Sequence, residues 1–151
     1  REYAERCYIP AAVRSRELQK DHLKGAKELS QWRGHLESSW AQLRINKIDF
    51  KNGQVLKVGS EMEVQALVGL GSLDPATVAV ELFEGGLDSS GRISSGRAIP
   101  MQHVGIEGDG VHRFMGKVPC DASGLRGCSL RIVPHHPDLG DVLLPGLILW
   151  G

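Results

Sequence analysis

Glu61-Met62-Glu63-Val64-Gln65-Ala66-Leu67-Val68 decides the fold: Met62, Val64, Ala66 and Val68 take every second position, with Glu61, Glu63 and Gln65 between them. Successive side chains of a strand point to opposite faces, so this spacing describes a strand with one buried face. The same step recurs downstream. Val78, Val80 and Leu82 alternate with Thr77, Ala79 and Glu81, and Cys128, Leu130 and Ile132 alternate with Ser129 and Arg131. Turn residues separate the runs: Asn52-Gly53, Asp74-Pro75, Gly85-Gly86, Asp88-Ser89-Ser90-Gly91, Gly108-Asp109-Gly110 and Ser123-Gly124. About seven strands at this spacing predict a mainly β chain, an immunoglobulin-like β-sandwich over residues 44–151.

Upstream the period is different. Residues 1–43 contain no Asn, one Pro and many Ala, Leu, Glu, Lys and Arg, the vocabulary of helices. Pro10 ends a first short helix and suits the first turn of the next. That second stretch carries Val13, Leu18 and Leu23, with Gly25 as its expected break. In the third, Leu29, Trp32, Leu36, Trp40 and Leu43 recur at three- and four-residue steps and share one helix face. An isolated helix of this length is marginal in water. Each of these large side chains contributes roughly 1.5–3 kcal/mol when fully buried, so the face needs a partner surface. Either the β-domain or the remainder of a longer protein supplies it, and left bare it would drive association into homo-oligomers.

Charge shifts at the same place. Residues 1–44 hold nine basic and six acidic side chains, and 45–151 hold nine and twelve. Two domains are therefore expected, a helical segment over 1–43 and the sandwich over 44–151. The overall formal charge is zero, which argues against nucleic acid or an anionic membrane as partner. No apolar run approaches the ~18 residues that cross a bilayer. The opening REYAERCY is charged and lacks a signal peptide's apolar region; it also lacks Met, and the chain reads as a piece of a longer protein. Cys7, Cys120 and Cys128 are odd in number without metal-type spacing, which fits a reducing cytoplasm.

No catalytic, cofactor or metal residue emerges from the motifs. In Pro134-His135-His136-Pro137-Asp138 two histidines and an aspartate suggest a metal. Neighbours in extended chain point apart, however, and the run reads as a rigid turn leaving a strand. His103 and His112 flank the Gly105–Gly110 turn and could face each other across a hairpin, yet they supply only half a tetrahedral site, and surface histidines are the expectation. Gly105-Ile106-Glu107-Gly108-Asp109-Gly110 has the wrong order for a dinucleotide loop. Ser38-Ser39 and Ser94-Ser95 lie in no nucleophile elbow. Cys120 and Cys128 bracket a turn-rich loop; a disulfide on oxidation is one reading, and buried or idle thiols are the default. Trp32 and Trp40 fit a helix core, Trp150 closes the apolar run Leu147-Ile148-Leu149-Trp150, and Phe83 alone falls on an outer strand face.

The opening Arg1-Glu2-Tyr3-Ala4-Glu5-Arg6-Cys7-Tyr8-Ile9-Pro10-Ala11-Ala12 resembles a segment late in bacterial α-glucan (glycogen or maltodextrin) phosphorylases. Arg131-Ile132-Val133-Pro134-His135-His136-Pro137-Asp138-Leu139 and Gly146-Leu147-Ile148-Leu149-Trp150 resemble the extreme C-terminus of that group, and Glu28-Leu29-Ser30-Gln31-Trp32 through Trp40 its helix before a C-terminal β-domain. The resemblance implies a parent glycosyltransferase that uses pyridoxal phosphate to move glucose from an α-1,4-glucan to phosphate. None of the seven lysines (20, 24, 27, 47, 51, 57 and 117) lies in the Gly/Ser-rich setting of that family's cofactor lysine. The resemblance therefore puts catalytic, cofactor-binding and metal residues at none, and no cofactor is expected in this piece.

The expected role is a non-catalytic C-terminal module, structural or in assembly, whose partner is the rest of the parent enzyme. The alternatives are a carbohydrate-binding module that holds α-glucan, against which the 5% aromatic content speaks, and an unrelated immunoglobulin-like interaction domain. Sandwich folds host all of these.

Overall fold

A computed structural model describes residues 24–51, 57–140 and 143–151. The two helices expected upstream of Gly25, Cys7 and the Asn52-Gly53 turn fall outside the described residues. Helix α1 spans Lys24–Ser39, and a short 3-10 turn, Trp40–Gln42, leads into the first strand. Gly25, expected as a break, is the second residue of that helix. The helical spacing read through Leu43 is thus carried by two elements: α1 ends at Ser39, and Leu43 is already extended.

Eight strands follow among the described residues: β1 Arg44–Phe50, β2 Glu61–Gly69, β3 Val78–Leu87, β4 Ile93–Pro100, β5 Gln102–Ile106, β6 Val111–Pro119, β7 Arg126–Pro134 and β8 Leu149–Trp150. They form two four-stranded antiparallel sheets, ordered β1-β2-β6-β5 and β4-β3-β7-β8. In chain order this is A-B-E-D against C′-C-F-G, the immunoglobulin-like sandwich arrangement. The expected fold class is observed.

Alternation decides which side chains face inward. In β2 Val64, Ala66 and Val68 are buried, and in β3 Val78, Val80 and Leu82. They share one buried cluster with Phe114 and Val118 of β6 and Leu130 and Ile132 of β7. The core does not stop at the sandwich. Leu36 of α1 and Leu43 belong to the same buried cluster, at 1% and 2% exposure, together with Leu70 and Leu73 between β2 and β3 and Leu144 and Leu147 before β8. The helix thus closes one end of the sandwich, and the β-domain itself supplies the partner surface for the apolar face of the helix.

Close approach dictates Gly85 in β3. A methyl group there would come within 2.5 Å of the Ser95 carbonyl and 2.8 Å of the Gly96 Cα, both backbone of the paired β4.

Candidate functional site

Polar contacts tie the helical end together. The Ser72 amide donates to the Gln42 side-chain carbonyl at 3.1 Å, and the Ser72 and Ser39 hydroxyls stand 3.3 Å apart. Trp32 of α1 packs on the His136 ring with centroids 4.8 Å apart. The run Pro134–Asp138 is the turn leaving β7. The His135 amide donates to the Thr77 carbonyl at 2.9 Å, while His136 Nδ1 accepts from the Asp138 amide at 3.2 Å. The adjacent histidines therefore do different work: one anchors backbone, and the other buttresses the helix.

An ionic cluster occupies the opposite end. Glu84 follows Val78, Val80 and Leu82 in the same inward phase of β3 and is 2% exposed. Its carboxylate accepts from Arg97 Nε of β4 at 2.5 Å and from Arg126 Nη2 of β7 at 2.7 Å. Arg97 also donates to Asp121 at 2.7 Å. The hydrogen bond from Arg97 holds the Asp121 carboxyl below its ordinary range, and Asp121 and Glu84 raise Arg97 in turn. A carboxylate taken out of water needs such partners, because burial without them is costly. No sequence motif singles out Glu84. The signal was present: a charge in phase with three buried aliphatics.

A third cluster covers the outer face of the β3–β7–β8 sheet. Arg131 bonds Glu81 at 2.7 Å, with both side chains largely buried. Its guanidinium lies 5.0 Å from the Phe83 ring centre and 5.9 Å from that of Trp150. The two rings meet edge to face at 5.5 Å, a geometry aromatic quadrupoles favour. Phe83 is on the outer face as expected, whereas Trp150, read from its apolar run, is 49% exposed. Beside it lies a cleft of about 480 Å³ between β1 and β8.

His103 and His112 do face each other, with His103 Nε2 3.0 Å from His112 Nδ1. The expectation of two surface histidines is corrected by His112, which is 8% exposed on the inner face of β6. Burial, then the neighbouring His103, lowers its pKa, and Asp74 opposes the shift. Cys120 and Cys128 are free thiols. Burial, reinforced by Glu84, pushes the Cys128 thiol up to about 11, so it is a poor nucleophile. Ser38 donates to the His35 carbonyl and Ser94 to that of Gly86. Among the described residues no three His, Cys, Asp or Glu side chains gather to hold a metal ion, and no helix is long and apolar enough to cross a membrane.

A family profile described as the glycogen phosphorylase C-terminal domain matches residues 40–151. Glycogen phosphorylases of Mycobacterium bovis and Mycobacterium tuberculosis are each 29% identical over 140 residues, covering 92% of this chain and 16% of the relative. A maltodextrin phosphorylase of Thermococcus litoralis is 25% identical over 158 residues, covering 99% of this chain and 17% of the relative. The chain thus spans about a sixth of the length of the curated relatives it matches. No solved structure matches it.

Proposed function

Because this chain belongs to the glycogen phosphorylase C-terminal domain family, we propose that it is a non-catalytic structural module of an α-glucan phosphorylase, borne on the rest of that enzyme. The parent in this reading transfers glucose from an α-1,4-glucan to phosphate, giving glucose 1-phosphate, and works in the cytoplasm, where free thiols such as Cys120 and Cys128 persist. The supporting observation is the shared core. Leu36 and Leu43 lie on the segment leading into the sandwich and are buried with the sandwich's own residues, so the β-domain is fixed rigidly to the helix that precedes it.

The resemblance also implies pyridoxal phosphate in the parent. Among the described lysines none fits that group: Lys27, Lys47, Lys51, Lys57 and Lys117 are all exposed. Lys47 and Lys117 are each more than half exposed and paired with Asp49 and Glu61, where a Schiff-base lysine needs a desolvated pocket. We place the cofactor in the remainder of the enzyme.

Deletion of residues 44–151 from the full-length enzyme tests the reading. Thermal stability and oligomeric mass, from light scattering, should change while the cofactor stays bound. An enzyme of unchanged stability, mass and activity would refute it.

A further inference from the structure

We propose that the outer face of the β4-β3-β7-β8 sheet, with Trp150 as its anchor, is the surface that docks on the remainder of the parent enzyme. The identity of the partner rests on the reading above, while the face is chosen by its chemistry. Residues directly opposite in an antiparallel ladder share a face, so the registers sort the two outer surfaces. On the β1-β2-β6-β5 sheet the outside carries Lys47, Asp49, Glu61, Glu63, Arg113 and Lys117. Ion pairs there, such as Lys47–Asp49 and Lys117–Glu61, have exposed side chains on both partners, as befits a face kept in water.

The other outside is nearly devoid of charge. Its ladder positions carry Phe83, Gly85, Gly96, Ala98, Ser129 and Trp150, together with one ion pair, Glu81–Arg131, whose members neutralise each other at 2.7 Å. A Cβ at Gly96 would meet the Phe83 ring, so that ring reaches across bare β4 backbone and keeps the surface shallow. Trp150 is 49% exposed, yet the Phe83 edge and the Arg131 guanidinium fix its position. An ordered aromatic beside an arginine, with few other charges, is the composition of an interface's energetic centre. An apolar sheet face is stable against another layer of structure, and a face without net charge calls for an apolar, uncharged partner surface.

The tether favours the same polypeptide over a second copy. Helix α1, through which the upstream chain enters, packs Trp32 on His136 just beyond the end of β7, so the rest of the enzyme is held at the end of this sheet. A tethered partner docks at the high effective concentration of an intramolecular step, whereas a second copy loses translational and rotational freedom. The matched region is only 16% of the mycobacterial relatives, which leaves a parent of that kind ample chain to form the covering layer.

Hydroxyl-radical footprinting, read by mass spectrometry in the full-length enzyme and in the isolated 151-residue chain, tests the proposal. Trp150 should react several-fold more slowly in the enzyme, while Met115, on the opposite outer face, reacts alike in both. Ala98 is exposed, so Ala98→Arg should leave the melting of the isolated chain unchanged. In the enzyme it should restore Trp150 reactivity and lower the melting temperature. Should Ala98→Arg unfold the isolated chain, the wild-type comparison decides. Equal Trp150 reactivity in the two proteins overturns the docking face, whether the ring is open in both or covered in both by the chain's own residues. Protection of the isolated chain that grows with its concentration, with a dimer's mass in light scattering, overturns it too, because the occupant is then a second copy. The structural-module reading is judged separately by the deletion, and it stands if that deletion alters stability or assembly while Trp150 stays open.

Discussion

The Glu84 carboxylate, 2% exposed in β3, accepts two hydrogen bonds from Arg126 of β7, at 3.1 and 2.7 Å, while Arg97 of β4 holds its other oxygen. One buried charge thereby cross-links three consecutive strands of a sheet at the end the helix does not cover. Glu84→Ala removes the acceptor and leaves two arginines facing each other. Loss of one partner from a buried pair costs about 3–5 kcal/mol, and the lower end is expected because both arginines reach solvent, with side chains 49% and 31% exposed. Urea denaturation should report about 3 kcal/mol; a loss under 1 kcal/mol would show that the cluster is not structural.

Leu36 is the helix's deepest anchor, at 1% exposure. Leu36→Ala should destabilise the chain by about 2–5 kcal/mol, the transfer loss plus the residual cavity. If the helix and sandwich are one cooperative unit, circular dichroism of the helix and Trp32 fluorescence should unfold together at a lower midpoint. Separate transitions would show two independent bodies.

Acid should weaken the His103–His112 clasp. The folded pKa of His112 is depressed below the ordinary 6.5, so the unfolded chain binds more protons between those two values and stability rises with pH there. The contribution is complete above pH ~6.5 and is lost as pH falls towards the folded value. Thermal melting from pH 8 down to pH 5 should show a fall that His112→Phe flattens. Parallel profiles for the two proteins would contradict the assignment.

Cys128 should resist alkylation. Its thiol is raised from 9.0 to about 11, which at pH 8 leaves about a hundredfold less thiolate than in the unfolded chain. Mass-spectrometric mapping of iodoacetamide labelling should find Cys128 unmodified until denaturant is added. Rapid labelling in buffer would place it outside the core.

Most of the fold was legible because it depends on local period. The two-residue step through Met62–Val68, Val78–Leu82 and Cys128–Ile132 names strands and their inner faces without knowledge of partners. The three- and four-residue step from Leu29 to Leu43 named a helical face, although not that the last turn would tighten and release Leu43 into an extended conformation. Glu84 shows the limit of reading residue type before phase. As a charge it reads as surface, while its position two after Leu82 reads as core, and only the arginines 13 and 42 residues away decide between them.

The alternation of apolar and polar residues by itself determined a two-sheeted β-domain behind a helix, since burial of one face is a property of each strand alone. Which surfaces meet is not. The helix closing the sandwich, Arg97 and Arg126 converging on Glu84, His103 reaching a buried His112, and Trp150 standing beside a cleft at the sheet seam all depend on pairings between residues distant in the chain. Those contacts exist only once strand order and register have been set, and no local pattern encodes them.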